Sequence, residues 1–174
     1  KQKGKKHHVV FTSNVHDKTA EKIRKIQLHY KGATQETLTA TLFLPHDYNS
    51  GKKYPVVLNI YEKQQKGMSA FLLPTFKNGR GFNVRLLLES GYMVLIPDIT
   101  YGDKGSGLSA LESIHNVLDE LVKIEQVDAR RIALTGQSFG GYQTNFVATH
   151  SDRFATFISG ASVSDVIHTP FSFN

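Results

Sequence analysis

The stretch RIALTGQSFGGYQTNF, Arg131 to Phe146, runs from an apolar segment through a serine crowded by glycines into a segment of helical character. Serine is a poor nucleophile unless its hydroxyl is lifted clear of its neighbours. A sharp strand-to-helix turn lifts it only where the crossing backbones can nearly touch, and glycine permits that contact. Gly136-Gln137-Ser138-Phe139-Gly140 fits the pattern G-x-S-x-G, and Gly141 extends it. The bare pattern is weak, because glycine and serine frequencies of about 7% produce it by chance in roughly one chain in twenty of this length. Its weight comes from its place between an apolar strand and a helix. The alternative reading is a glycine-rich turn carrying an inert serine.

The flanking sequence supplies that context. VVLNIYE (Val56–Glu62), YMVLIPDI (Tyr92–Ile99), RIALTG (Arg131–Gly136) and FATFISGAS (Phe154–Ser162) read as buried strands. Between them GFNVRLLLESG predicts a helix ended by Gly91, and LSALESIHNVLDELVKIE predicts a longer one, with Leu111, Ile114, Leu118, Leu121 and Val122 on one face. His115 lies beside that face and is given no role. FGGYQTNFVATH is expected to be the helix after the turn, and TYGDKGSG (Thr100–Gly107) a loop. KIRKIQLHY and ETLTATLFLP pair as a β-hairpin at the start. Strands and helices alternating from residue 55 onward argue for an α/β domain with a mostly parallel sheet covered on both faces. In such sheets function gathers at the C-terminal ends of the strands. Here those are the loops after Tyr61 and after Asp98, and the turn at Ser138.

Composition narrows the function classes. The 174 residues carry a net charge of +6, but residues 1–31 hold nine lysines and arginines against Asp17 and Glu21, so the remainder is close to neutral. Residues 1–31 are therefore read as a basic leader or linker, solvated rather than bound to nucleic acid, because no aromatic residue interleaves its first six positions. No stretch approaches the ~18 apolar residues of a membrane span. The chain has no cysteine, which excludes disulfides and thiolate metal sites and leaves the compartment open. His7 and His8 have no further ligands at matched spacing, so no metal and no cofactor is expected. The first residues have neither an initiator Met nor the apolar core of a signal peptide, and the chain is expected to be a piece of something longer.

The segment VDARRIALTGQSFGGYQTNFVATHSDRFATFISGASVSD resembles the catalytic domain of the prolyl oligopeptidase family of serine peptidases, the group that includes dipeptidyl peptidase IV and acylaminoacyl peptidase. ETLTATLFLPHDYNSGKKYPVVLNIYE is similar to that family's opening hairpin and first central strand, and LLLESGYMVLIPD to its next helix and strand. The resemblance implies an α/β-hydrolase fold whose N-terminal part occupies residues 32–174, with the C-terminal part missing. It implies Ser138 as the nucleophile of an acyl-enzyme, the Phe139 amide as one oxyanion donor and the Tyr61 hydroxyl as the second. Phe139 would also line the pocket for the residue before the scissile bond. A short peptide is the implied substrate and an upstream propeller domain the implied neighbour, and a homo-oligomer is allowed. Two departures stand out. Glu62-Lys63-Gln64-Gln65 replaces the glycines that usually follow the tyrosine, and Asp103-Lys104-Gly105-Ser106-Gly107 lacks the usual arginine.

A nucleophilic serine needs a general base and a carboxylate to orient it. His150 ends the nucleophile helix, about 18 Å along its axis from Ser138 at about 1.5 Å per residue, which excludes it. Asp165 and His168 arise from a single loop, and in the family these partners come from later strands, so they are expected beyond Asn174. The fragment is expected to be inactive alone. A carboxylesterase on the same fold and a non-catalytic binding module remain alternatives.

Overall fold

The computed structural model describes residues 8–18, 22–70, 72, 82–163 and 165. Among these, six strands form one sheet: β1 (Lys25–Lys31), β2 (Thr37–Phe43), β3 (Tyr54–Ile60), β4 (Met93–Pro97), β5 (Val127–Gln137) and β6 (Thr156–Gly160), in the order β1-β2-β4-β3-β5-β6. β1 and β2 make the antiparallel hairpin expected from the sequence, and β2 runs antiparallel to β4. The β3–β4, β3–β5 and β5–β6 pairs are parallel. Their crossovers carry α1 (Val84–Glu89), α2 (Gly105–Leu121) and α3 (Phe139–Ala148).

Strand residues alternate between two cores because side chains on a strand point to opposite faces in turn. On one face α2 delivers Ile114, Val117, Leu118 and Leu121, and α3 delivers Val147, onto Leu42, Leu58, Leu95 and Leu134. On the other, Val84 and Leu88 of α1 meet Phe43, Val94 and Ile96. Helices thus cover both faces, as the alternating pattern predicts. Asn83 starts α1 by accepting a bond from the Leu86 amide (3.0 Å), and Gly91, at φ +80°, ends it in the left-handed conformation that a side chain resists.

Two sequence expectations shift. The stretch Thr100–Gly107 is not all loop, because α2 already begins at Gly105. Gly107 is a poor helix former, yet a Cβ there would lie 2.7 Å from the Phe146 ring, so the approach of α2 to α3 overrides propensity. The basic leader does not stay solvated to residue 31. Its last seven residues are β1, with Lys25 opposite Phe43 and Lys31 opposite Thr37. Farther upstream, Asp17 forms a two-pronged ion pair with Arg85 of α1, whose side chain is only 3% exposed. Losing one partner of such a buried pair typically costs about 3–5 kcal/mol, so this contact anchors the leader to α1.

Candidate active site

The turn between β5 and α3 is built from backbone. Ser138 takes φ +57° and ψ −118°, a conformation that costs a non-glycine residue about 1–3 kcal/mol and persists only where its surroundings impose it. Here they do. The Ser138 amide donates to the Gly160 carbonyl (2.9 Å), and the Ser138 carbonyl accepts from the Tyr142 amide (3.1 Å), which fixes the residue from both sides. A Cβ on Gly136 would lie 2.2 Å from the Gly140 oxygen, and one on Gly140 would lie 2.4 Å from the Ile60 oxygen. Gly141 is less crowded, with the Gly160 oxygen at 2.9 Å and Ser162 at 3.0 Å. Thr144 closes the turn by donating to the Gly140 carbonyl (2.8 Å). The three glycines singled out in the sequence are therefore the positions where β5, α3, β3 and β6 touch.

Register brings Tyr61 to the same place. Ile60 pairs with Gly136 in the parallel β3–β5 ladder, so the next residue leaves its strand level with Gln137 and Ser138. Tyr61 and Ser138 line one cleft at the C-terminal edge of the sheet, together with Asn59, Gln137, Ile158 and Gly160. Tyr61 is 42% exposed, and its Cδ2 lies 3.4 Å from where a Cβ on Gly140 would sit. Phe139 opens α3, and the first amides of a helix have no partner within it. Its ring stands between Tyr101, edge-on at 5.8 Å, and Tyr142, stacked at 5.6 Å.

The sequence marks Glu62–Gln65 as a departure from the expected glycines and assigns Asp98 no role. Asp98 Oδ1 accepts from the Gln64 amide and, at 3.1 Å, from the Gln65 amide. The Ile99 amide donates to the Glu62 carbonyl (3.1 Å). Gln64 Nε2 reaches the Asn59 carbonyl (3.1 Å), while Gln65 donates to the Ile96 carbonyl (2.9 Å) and accepts from Thr41 (2.6 Å). The residues standing where glycines were expected thus hold the turn through their backbone and side chains. No signal in the sequence links Gln64-Gln65 to Asp98, because their meeting depends on β3 and β4 standing side by side.

Among the described residues no histidine is hydrogen-bonded to Ser138. His150 bonds the Phe146 carbonyl (2.8 Å) at the far end of α3, and His115 Nε2 pairs with Ser151 Oγ (2.8 Å). Burial, then the Arg153 charge, hold the His115 imidazole below its ordinary value, against the pull of Asp119 and Asp152. The pairing of Asp165 with His168 falls outside the described residues at His168.

The strand order, the crossovers and the glycine-flanked serine on the β5–α3 turn define an α/β-hydrolase domain, and solved structures agree. The acylaminoacyl peptidase of Pyrococcus horikoshii superposes with a TM-score of 0.68 at 22% identity, over 91% of this chain and 26% of that one. An acylaminoacyl peptidase in complex with Z-Gly-Gly-Phe-chloromethyl ketone superposes at 0.64 with 25% identity, over 82% and 24%. Within that class the chain belongs to the prolyl oligopeptidase family, whose model matches residues 80–172. Dipeptidyl-peptidase 5 of Porphyromonas gingivalis is 34% identical over 133 residues, 69% of this chain and 18% of that protein. Human dipeptidyl peptidase 8 is 30% identical over 148 residues, 78% of this chain and 16% of that protein. The chain thus spans less than a fifth of the length of these two relatives.

Proposed function

We propose that the whole protein carrying this chain is a serine peptidase that cleaves short peptides through an acyl-enzyme on Ser138. The observation that carries the reading is the strained Ser138 backbone in a cleft it shares with Tyr61. Ser138 Oγ attacks the scissile carbonyl carbon, and its proton passes to a base supplied from outside the described residues. The carbonyl oxygen takes up the charge between the Phe139 amide and the Tyr61 hydroxyl, each such donor contributing about 3 kcal/mol to the transition state. The C–N bond then breaks, the amine leaves with the proton, and water releases the acyl group. The names of the relatives, dipeptidyl and acylaminoacyl peptidases, favour peptides over esters. Their greater length accommodates an upstream propeller that would restrict access to short substrates.

A fluorophosphonate probe applied to the whole protein is expected to label Ser138, and to label nothing in Ser138→Ala. A panel of short chromogenic peptides with and without proline, run beside simple esters, then reads the substrate class. No labelling of Ser138 at neutral pH sinks the proposal, and turnover of esters alone moves the assignment to a carboxylesterase.

A further inference from the structure

Tyr61 stands one residue past the end of β3, beyond the reach of the sheet's own ladder, and is 42% exposed. An oxyanion donor contributes only if its hydroxyl is held where charge develops, so something outside the ladder must fix this turn. A chain leaving a strand into solvent has no such restraint of its own. The restraint here comes from the end of the neighbouring strand. Asp98, half-buried one residue past β4, accepts the amides of Gln64 and Gln65 on one carboxylate oxygen, and the Ile99 amide takes the Glu62 carbonyl. Asp98 is itself fixed at both ends of its backbone. Its amide donates to the Thr39 carbonyl (3.1 Å), and its carbonyl accepts from the Tyr30 hydroxyl.

We infer that Asp98 is a positioning residue for Tyr61: its carboxylate, anchored by β1 and β2, clamps the turn that aims the Tyr61 hydroxyl at the reacting carbonyl. The inference rests on the reading of Tyr61 as an oxyanion donor. Amides paired to a carboxylate make hydrogen bonds roughly twice as strong as neutral ones, and two of them converge on one oxygen. The clamp is specific to the turn, since both of these bonds go to Gln64 and Gln65 and neither to the elbow around Ser138.

Steady-state kinetics on the whole protein test the inference through a mutant cycle. Tyr61→Phe is expected to lower kcat about a hundredfold with little change in KM, because the lost bond matters in the transition state. Asp98→Ala is expected to lower kcat about tenfold at unchanged KM, and Asp98→Asn, which keeps an acceptor oxygen, to restore most of it. In the Tyr61→Phe background Asp98→Ala should cost less than about twofold, since a clamp has nothing left to aim. A tenfold loss in both backgrounds, or no loss in either, overturns the positioning role while leaving Tyr61 as donor. An unchanged kcat in Tyr61→Phe overturns the donor reading and the clamp with it. Should Asp98→Ala fail to fold, Asp98→Ser, whose shorter side chain cannot reach both the Gln64 and Gln65 amides, takes its place in the cycle with the same outcomes.

Discussion

The two turns that meet in the cleft are built on opposite principles. The β5–α3 turn at Ser138 is held by the absence of side chains: Gly136, Gly140 and Gly141 let four backbones converge, and the bonds that close it are main-chain ones helped by the nearby hydroxyls of Thr144 and Ser159. The turn after β3 at Tyr61 is held by side chains that come from elsewhere, Asp98 at the end of β4 and Thr41 on β2. A backbone-built turn tolerates no added atom and is indifferent to distant polar residues. A side-chain-built turn tolerates added bulk at its exposed positions and fails when a remote partner is lost. The first principle suits a residue whose conformation must be strained, the second one whose distance must be set.

Adding a single methyl group tests the first half of that contrast and is expected to give the largest effect. Gly136→Ala and Gly140→Ala would place a Cβ 2.2 Å and 2.4 Å from carbonyl oxygens that cannot move without parting strand from helix. Each should destabilise the protein by at least about 3 kcal/mol and remove probe labelling of Ser138. Gly141→Ala, with its nearest atom at 2.9 Å, should cost less, about 1–2 kcal/mol. Denaturant unfolding of the three variants gives the order. Equal, small losses in all three would mean the backbones do not cross as closely as the geometry requires.

A smaller effect is expected where a polar partner is removed from the second turn. Thr41 is fully buried, donates to Gln65 (2.6 Å) and accepts from Gln27 (3.0 Å), so Thr41→Val keeps its shape and deletes both bonds. Leaving the Gln65 oxygen unpaired should cost about 1–3 kcal/mol in denaturant unfolding. Probe labelling of Ser138 should persist, because the β5–α3 turn takes no support from Thr41. Loss of labelling at unchanged stability would show that the two turns are not built independently.

The same contrast accounts for what could be read from the sequence. The elbow was legible because its determinants lie within six residues, and because glycines two positions to either side of a serine, between an apolar strand and a helix, serve the close crossing of backbones. The parallel sheet was legible from the apolar runs of β3, β4 and β5, whose alternation with helices leaves few topologies. The support of Tyr61 was not legible, since Asp98 lies 34 positions from Gln64 and Thr41 lies 24 from Gln65, and pairings at that range become visible only when β2, β4 and β3 stand side by side. The early start of α2 was hidden for a related reason. Gly105-Ser106-Gly107 has the composition of a loop, and only the Phe146 ring lying against Gly107 shows why a helix was worth its conformational cost there. The Asp17–Arg85 pair, 68 residues apart, likewise gave the leader an anchor that its charge run concealed.

The smallest expected effect probes whether the two turns face each other as closely as the cleft requires. Tyr101 stands edge-on to Phe139 of the first turn, and its phenol is pushed up to about 12, by burial first and then by the negative charge of Glu62 in the second turn. The Gln143 amide, donating to the phenol oxygen at 2.7 Å, pulls the other way. Glu62→Gln removes only the charge, so the Tyr101 phenol should titrate lower than in the wild type yet stay above the ordinary value of about 10, because burial remains. The sign follows from linkage: a phenol raised in the fold keeps its proton while the unfolded chain loses one, so its share of stability is whole below pH about 10 and is lost as pH rises through about 12. The variant should lose less and finish losing it at a lower pH, because the onset near pH about 10 belongs to the unfolded chain. Carbon-13 NMR of the tyrosine ζ carbons, assigned with Tyr101→Phe, follows the titration directly. A Tyr101 that titrates identically with Glu62 and with Gln at that position would mean that Glu62 points away from the elbow, and that the second turn is not held against the first.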